Sequence, residues 1–322
     1  MSKPKVIVIG GPTASGKTAL SIELAKKING EIVSADSMQI YKEMNIGTAK
    51  PEEQEKQKIK HYMLDIINPN ERYSVADYKR DAKNAIREII KNGKTPIVVG
   101  GTGLYIDSLI YEIEYPEIQI DLNYRKELEE LAEKEGLLSL YEKAKQIDEK
   151  AMEKISYNDK KRILRVLEIY HQTGKTKTEL DKESKKVPEF DYKMFAINMN
   201  RELLYNRINR RVDIMLEKGL IEEVETIYNK YKEFPTAMQA LGYKEVVEYL
   251  EGKTSKDEMI EKIKMESRRY AKRQLTWFRK NKETKWLNGE DSISHNIDII
   301  LEEIKTWIKR RRKSIEKSRL HL

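Results

Sequence analysis

The sequence predicts an α/β protein in which helices flank a mainly parallel sheet and an all-helical segment is inserted. Short apolar runs alternate with helix-patterned segments over the first 120 residues, the pattern of a layered α/β fold. From 121 to 188 apolar residues recur only at helical spacing, and a strand pattern follows. We therefore expect a core domain of 1–120 and 189–322, with a helical insertion domain of 121–188.

The expected elements of the core domain follow from apolar runs and from the residues that end them. One helix runs from Val75 to Lys91 and ends at Asn92-Gly93, as helices often do. A longer helical pattern runs from Arg201 to Tyr231 with an interruption at Gly219. The expected strands are 6–9, 31–35, 61–66, 95–99 and 194–198.

The first predicted strand leads into a phosphate-binding motif. Residues 11–18 read GPTASGKT, which fits the P-loop pattern G-x-x-x-x-G-K-S/T between a strand and a helix. In such a loop, backbone N–H groups and the following helix terminus surround phosphate oxygens. Lys17 adds a mobile charge, and the Thr18 hydroxyl can hold Mg²⁺. We expect a P-loop NTPase-like sheet that grips a diphosphate or longer polyphosphate through Gly11, Pro12, Thr13, Ala14, Ser15, Gly16, Lys17 and Thr18.

Two further sets of residues could serve chemistry beside this loop. Asp36 follows the second predicted strand, where ligands bind in open α/β sheets, and could accept a proton from a nucleophile. It could instead cap a turn or helix, although its position favours the base. Arg207 and Arg211 share a helical face, so they could hold a leaving diphosphate or form a solvated basic surface.

Composition narrows the function classes. The chain has no cysteine, which excludes disulfides and thiolate metal sites and suits a cytoplasmic protein. No apolar run approaches the ~20 residues of a membrane span, so we expect no membrane partner. The net charge is +8, and residues 268–319 hold 16 Lys/Arg against 7 Asp/Glu. Such a basic region is typical of contact with a phosphate backbone.

The segment from Arg268 to Arg279 interleaves basic residues with Tyr270, Trp277 and Phe278. Basic side chains neutralise phosphates, and aromatic rings stack on the splayed bases of single-stranded RNA loops. An amphipathic helix with its rings in the core would give the same pattern. Both interpretations hold together if the rings face inward and the basic side chains outward.

In ordered blocks along nearly the whole chain, the sequence resembles the bacterial tRNA dimethylallyltransferase family, also called tRNA isopentenyltransferase. A lone P-loop would be weak support for any family, but the ordered set is highly specific. The blocks are 11–18, Asp36-Ser37 with Ile40-Tyr41, 46–51, His61 with Asp65-Ile66, 100–102 with Leu104-Tyr105, 173–176, Gly242-Tyr243, and 271–274 with Thr276-Trp277.

The resemblance implies a reaction and its residues. A dimethylallyl group would move from dimethylallyl diphosphate to N6 of the adenine 3′ of the anticodon (position 37) in tRNA, releasing diphosphate. Asp36 would be the general base, Thr13 and Arg211 the catalytic pyrophosphate ligands, and Thr18 the Mg²⁺ ligand. The implied tRNA-binding residues are Asp36, Ser37, Met38, Gln39, Thr102, Arg125, Lys161, Arg162, Arg165, Gly242, Tyr243, Lys272, Arg273, Gln274, Trp277 and Arg279.

Two other functions remain as alternatives at this stage. A P-loop kinase for a small hydroxyl substrate would use the same loop and Asp36, but the basic carboxy-terminal region argues against it. A non-catalytic RNA-binding protein would need neither the P-loop nor Asp36. Our prediction is a cytoplasmic, monomeric prenyltransferase that uses Mg²⁺ and acts on the anticodon stem-loop of tRNA.

Overall fold

A computed structural model of the 322-residue chain describes residues 3–115, 121–184 and 186–319, with side chains up to residue 307. Its centre is a six-stranded sheet in the order β3-β2-β4-β1-β5-β6. Every neighbouring pair is parallel. The strands are β1 (Lys5–Gly10), β2 (Gly30–Ser34), β3 (His61–Tyr62), β4 (Thr95–Gly100), β5 (Asp191–Asn198) and β6 (Lys285–Asn288).

Helices make up most of the remaining described chain. Those of the sheet-containing part are α1 (Lys17–Ile28), α2 (Glu53–Lys56), α3 (Val75–Lys91), α4 (Gly103–Ile110), α10 (Arg201–Glu217), α11 (Leu220–Lys230), α12 (Tyr243–Leu250), α13 (Lys256–Phe278) and α14 (Ile293–Arg319). Those of the insertion are α5 (Leu122–Glu135), α6 (Leu137–Ile147), α7 (Glu149–Met152), α8 (Lys160–Thr173) and α9 (Lys177–Glu183). No described helix is long and apolar enough to cross a membrane.

The predicted fold class is confirmed. Strands form at each predicted position, and the long helical pattern divides into α10 and α11 at Gly219, whose φ of 95° favours glycine. The sixth strand, β6, was not predicted. It is only four residues long with Leu287 as its one buried residue, so it lacks the apolar run of a strand covered on both faces.

Two apolar layers cover the two faces of the sheet. On one face, α3 contributes Tyr78, Ile86 and Ile89 to a core that continues under α4. On the other, α1 packs Leu24 and α14 packs Ile300 against the strands. Covering both faces explains why β1 and β4 are nearly continuous apolar runs, and it leaves the carboxyl ends of the strands as the open edge.

The chain divides into two compact units, 1–110 with 188–322 and 111–187. The second unit contains α5 to α9 around Leu140, Ile163 and Leu164, and no strand occurs in its described residues. The sequence placed the start of the insertion at 121, whereas this unit starts at Tyr111. One reason is a backbone bond from Glu114 N–H to Ser184 O (2.8 Å), which ties the two ends of the unit together.

Candidate functional site

The P-loop turns between β1 and α1 through backbone angles that favour small residues. Gly11 has φ 146° and Gly16 φ 89°, both in the region where glycine is unstrained. Ala14 also has positive φ, at 61°. Helix α1 starts at Lys17, and Gly16 is its N-cap without a side-chain hydrogen bond, so the first N–H groups of the helix are open to an anion.

Lys17 lies half-buried in the loop. Its Nζ donates to the Pro12 carbonyl oxygen at 2.6 Å. The pKa of Lys17 is lowered to about 7, first by burial and then by the positive charge of Arg211, while the negative charge of Asp36 opposes both. An anion bound here would favour the protonated lysine, because it would replace the lost hydration and offset the charge of Arg211.

A cavity of about 390 Å³ opens beside the P-loop at the carboxyl edge of the sheet. The residues expected to do chemistry line it together: Thr13, Lys17, Thr18, Asp36 and Arg211. The remaining P-loop residues, Gly11, Pro12, Ala14, Ser15 and Gly16, shape the loop without lining the cavity. Side chains that are far apart in the sequence, from Thr13 to Arg211, therefore line one cavity large enough for a small ligand.

Asp36 follows β2 and is half-buried. Its Oδ1 accepts from the Met38 backbone N–H at 2.9 Å, which closes a tight turn. The turn-capping role considered from sequence is thus present. It occupies one carboxylate oxygen, and the side chain still lines the cavity, so capping and acid–base chemistry are compatible.

Arg211 and Arg207 are separated by the structure. Arg211 is half-buried and lines the cavity, and burial lowers its pKa while Asp36 raises it. Arg207 is exposed and does not line the cavity. The same face of α10 that carries Arg211 adds Ile208, Val212 and Met215 to the wall, so the cavity has an apolar side next to its cationic one.

The glycines after β4 allow two strand ends to approach closely. A Cβ on Gly100 would lie 2.1 Å from the Ala35 carbonyl oxygen, so only glycine fits there. Thr102, two residues on, accepts from the Ser37 backbone N–H through its hydroxyl at 3.0 Å. This end of β4 therefore holds the segment of Asp36 in place, where many P-loop hydrolases carry a magnesium-binding acid.

Helix α13 contributes two polar residues, Tyr270 and Gln274, whose contacts within the site were not predicted; the family resemblance implied only tRNA binding for Gln274. Gln274 is 5% exposed; its Oε1 accepts from Thr13 N–H at 2.9 Å, and its Nε2 donates to Gly101 O at 3.1 Å. The hydroxyl of Tyr270, one turn earlier, lies beside the side chains of Thr102 and Gln274. Burial, and then the negative charge of Asp36, raise the pKa of Tyr270 to about 12. Only the fold could show these contacts, because 261 residues separate Thr13 and Gln274.

The basic residues of α13 face outward. Lys272 and Arg273 are exposed, as is Arg279 at its C-cap, and none forms an ion pair with a described side chain. Arg273 also lines the cavity. Trp277 is half-buried over Gly103, where an added Cβ would lie 2.3 Å from the ring. As expected from the sequence, the aromatic rings of this segment face inward and its basic side chains face outward.

The segment 44–51 forms another wall of the cavity, and hydrogen bonds to two other segments hold it in place. Glu223 on α11 accepts from the backbone N–H groups of Asn45, Ile46 and Gly47. Gln39 donates to the carbonyl oxygens of Thr48 (3.2 Å) and Ala49 (3.3 Å). Ser37, Met38, Gln39 and Gly242, which the family resemblance assigned to tRNA binding, all line the cavity.

Tyr243 differs from its expected role. Its side chain is 0% exposed, and its hydroxyl donates to Glu223, which raises the Tyr243 pKa after burial does. A Cβ on Gly47 would lie 2.4 Å from its ring, so the two residues pack directly. The ring is enclosed by protein and holds the wall of the cavity, which corrects the expectation of a side-chain contact with tRNA.

Four predicted tRNA contacts lie in the helical unit. Lys161 and Arg162 at the start of α8 are exposed. Arg125 and Arg165 are half-buried and approach the buried Glu168 carboxylate at 3.5 and 3.6 Å. These two arginines therefore already have an acidic partner, whereas the charge of Lys161 has none among the described side chains.

The residues available to a metal are few. The described residues contain no group of three or more His, Cys, Asp or Glu that could hold an ion. Thr18 and Asp36 line the same cavity. This sparse set fits Mg²⁺ better than a metal that needs a full protein cage, because Mg²⁺ keeps several waters and takes ligands from substrate phosphates.

Comparison with known proteins agrees with this geometry. A family model described as IPP transferase matches residues 39–281. The tRNA dimethylallyltransferase of Acetivibrio thermocellus is 53% identical over 288 residues, covering 89% of this chain and 92% of the relative. That of Bacillus cereus strain ATCC 14579 is 46% identical over 291 residues, covering 90% and 92%.

Solved structures extend the similarity to the fold. The full-length tRNA isopentenylpyrophosphate transferase of Bacillus halodurans has a TM-score of 0.73 at 40% identity, covering 97% of this chain and 99% of that one. A eukaryotic dimethylallyltransferase acting on tRNA also has a TM-score of 0.73, at 34% identity, covering 89% and 74%. The fold, the P-loop cavity and these similarities agree, and the chain belongs to the IPP transferase family.

Proposed function

We propose that this protein transfers a dimethylallyl group from dimethylallyl diphosphate to N6 of the adenine 3′ of the anticodon in tRNA, releasing diphosphate. The observation that carries the proposal is one cavity lined by a P-loop, a carboxylate and a half-buried arginine, in a member of this family. A kinase or a non-catalytic RNA-binding protein would not explain relatives that are named tRNA dimethylallyltransferases across nearly their whole length.

The P-loop grips the diphosphate of the donor. The open N–H groups at the start of α1 and the Lys17 ammonium surround the phosphates, and Thr13 contributes from the same loop. Arg211 on α10 lines the same cavity, close enough to Lys17 to affect its pKa. As the allylic C–O bond breaks, negative charge grows on the departing diphosphate, and preorganised cations stabilise it most at that moment.

Asp36 accepts the proton of the nucleophile. The exocyclic amine of adenine is a weak nucleophile, because its lone pair is delocalised into the ring. Its N–H becomes acidic as the new C–N bond forms, and a carboxylate within hydrogen-bond reach can then take the proton. The other carboxylate oxygen accepts no hydrogen bond from the described residues and is available for this task. The target base must leave its stack to enter the cavity, as in other base-modifying enzymes.

Mg²⁺ is the proposed cofactor, held by Thr18 and by the phosphates of the donor. When bound, it would neutralise diphosphate charge. The tRNA partner is proposed to lie along the exposed Lys272, Arg273 and Arg279, whose charges have no acidic partner among the described side chains. We further propose that the enzyme acts as a monomer in the cytoplasm.

One incubation tests the reaction. Unmodified tRNA, labelled dimethylallyl diphosphate and Mg²⁺ are mixed with the protein, and label is sought in RNA at the adenine next to the anticodon. The proposal expects label there and equimolar diphosphate release. Release of label without transfer to RNA, or no reaction in the presence of tRNA, would contradict it. A parallel incubation with labelled ATP and small hydroxyl acceptors tests the kinase alternative.

Asp36→Asn tests the base. The amide keeps the oxygen that accepts from Met38 N–H, so the turn should survive. Removal of a positioned base slows the chemical step by ~10²–10⁴-fold. We expect that loss in single-turnover transfer at saturating tRNA and donor, with tRNA affinity unchanged. A near-normal single-turnover rate would leave Asp36 with the turn-capping role alone.

A further inference from the structure

A chain of side-chain contacts joins the two reacting halves of the cavity. Gln274 accepts from the Thr13 N–H in the P-loop and donates to the carbonyl oxygen of Gly101, next to Thr102, and the Tyr270 hydroxyl lies beside both Gln274 and Thr102. Thr102 in turn accepts from the Ser37 N–H, next to Asp36. We infer that Gln274 and Tyr270 are positioning residues, forming a bridge that sets the diphosphate-binding loop against the proton acceptor.

Burial and two backbone hydrogen bonds hold the Gln274 amide in place at the wall of the cavity. The residue is 5% exposed, and each of its amide heteroatoms already has a backbone partner. A Cβ on Gly101 would lie 2.1 Å from its Nε2, so the glycine leaves room for the amide. Of the polar residues between 272 and 279, Gln274 therefore faces the sheet, whereas Lys272 and Arg273 face outward.

The same helix meets two more glycines, Gly10 at the end of β1 and Gly103 at the start of α4. Added Cβ atoms would lie 2.5 Å from the Phe278 ring at Gly10 and 2.3 Å from the Trp277 ring at Gly103. Helix α13 thus docks at the edge where Thr13 and Thr102 lie. Gln274 hydrogen-bonds to the P-loop at Thr13 and to the loop after β4 at Gly101. A shift of one loop is therefore transmitted to the other.

The bridge matters because transfer requires two geometries at once. The donor carbon is placed by the grip on its diphosphate, and the amine is placed by the acceptor side near Asp36. A misplacement of about 1 Å between reacting groups can cost ~10²-fold in rate. A bonded chain from Thr13 to Ser37 limits that error. If the P-loop and the general base were held independently, their positions relative to each other would be less constrained.

The test uses substitutions that remove hydrogen bonds and keep volume. Gln274→Met removes both amide bonds, and Tyr270→Phe removes only the hydroxyl; the two are also combined. Asn296→Leu is the matched control, because Asn296 is a buried amide (4% exposed) that donates to Asn288 O at 2.8 Å and lies outside the cavity. Single-turnover transfer, donor and tRNA affinities and melting temperature are measured for each variant.

The bridge predicts single-turnover rates lowered by about 10- to 100-fold in Gln274→Met and Tyr270→Phe, with tRNA affinity unchanged. The double variant should lose less than the product of the single losses, because the residues act as one unit. Asn296→Leu should melt earlier yet transfer at the normal rate. If Gln274→Met does not fold, the single-turnover rate of Tyr270→Phe alone tests the inference.

Several results would overturn the inference. Normal rates in Tyr270→Phe, weakened tRNA affinity at an unchanged rate in Gln274→Met, or an equal rate loss in the Asn296→Leu control would each do so. The inference rests on the proposed transfer reaction, and the wild-type protein separates the two. Absence of transfer by the wild type counts against the reaction, whereas transfer by the wild type with unaffected variants counts against the bridge alone.

Discussion

Replacing Arg211 by alanine should cost far more than replacing Arg207, although both belong to α10 and lie one turn apart. Arg211 is half-buried in the cavity beside Lys17 and Asp36, and Arg207 is exposed outside it. If Arg211 stabilises the departing diphosphate, its removal should lower the rate of the chemical step. Arg207→Ala is the matched control, because it removes the same chemical group from the same helix.

The size of the effect follows from where each charge lies. Two unit charges ~4 Å apart interact by about 4 kcal/mol at an effective dielectric constant of ~20. Since about 1.4 kcal/mol is tenfold in rate, this sets a ceiling near 10³-fold. Removing one preorganised donor from a developing anion typically costs ~10²–10³-fold, and we expect that for Arg211→Ala. An exposed charge is worth at most about 1 kcal/mol, so Arg207→Ala should lose no more than about fivefold.

The pH dependence of donor binding gives an independent readout. Burial, and then Arg211, hold the pKa of Lys17 at about 7 in the free protein. The cationic form of Lys17 binds phosphate, so wild-type affinity for the donor should fall as pH rises through about 7. In Arg211→Ala the repulsion is gone and the pKa of Lys17 should rise. The fall in affinity should therefore move to higher pH, although overall affinity is weaker.

The assay combines single-turnover transfer with donor binding between pH 6 and 9 for wild type, Arg211→Ala and Arg207→Ala. Equal rate losses in the two variants, or a larger loss in Arg207→Ala, would refute the placement of Arg211 at the leaving group. A midpoint of donor binding that stays near 7 in Arg211→Ala would refute the proposed coupling between Arg211 and Lys17.

Three other substitutions probe separate parts of the site. Lys17→Ala should weaken donor binding and turnover together, because a cation on phosphate serves ground and transition states alike; unchanged donor affinity would remove Lys17 from the phosphate site. Neutralising Lys272, Arg273 and Arg279 together should weaken tRNA binding and flatten its salt dependence, and donor binding should stay intact. A salt dependence like that of the wild type would show that these side chains do not contact RNA phosphates. Glu223→Gln should lower the free energy of unfolding by roughly 1–3 kcal/mol and raise the donor KM, because charged hydrogen bonds to the cavity wall are lost; normal unfolding would contradict it.

Local chemistry explains which parts of the site were predictable from sequence. The P-loop is contiguous, and Asp36 directly follows a strand that enters the same sheet edge, so pattern and topology suffice for both. Arg211 was specified by the family resemblance, whereas its spacing alone left Arg207 equivalent. Only burial distinguishes the two arginines, and burial depends on how α10 packs against α13.

The contacts that the sequence did not predict join distant segments. They are made by side chains whose sequence pattern fits more than one role. A glutamine and a tyrosine in a basic helix fit RNA contact as well as burial, and only the docking of α13 on Gly101 decides for Gln274. Tyr243 was misassigned for the same reason, because its partners Gly47 and Glu223 belong to other segments. The signal available in the sequence was the glycines themselves, which mark places where another element approaches the backbone closely.

The charged groups that line the cavity divide between binding and catalysis. Two cations, Lys17 and Arg211, and one carboxylate, Asp36, share the volume, and the lowered pKa of Lys17 records the cost of holding it charged there. A bound diphosphate offsets that cost before any bond breaks, so relief at Lys17 contributes to affinity more than to rate. Rate must come from groups whose interaction strengthens as the allylic bond opens and the amine loses its proton. Arg211 and Asp36 meet those two requirements, and the Gln274–Tyr270 bridge would keep the diphosphate-binding P-loop in register with the segment of Asp36.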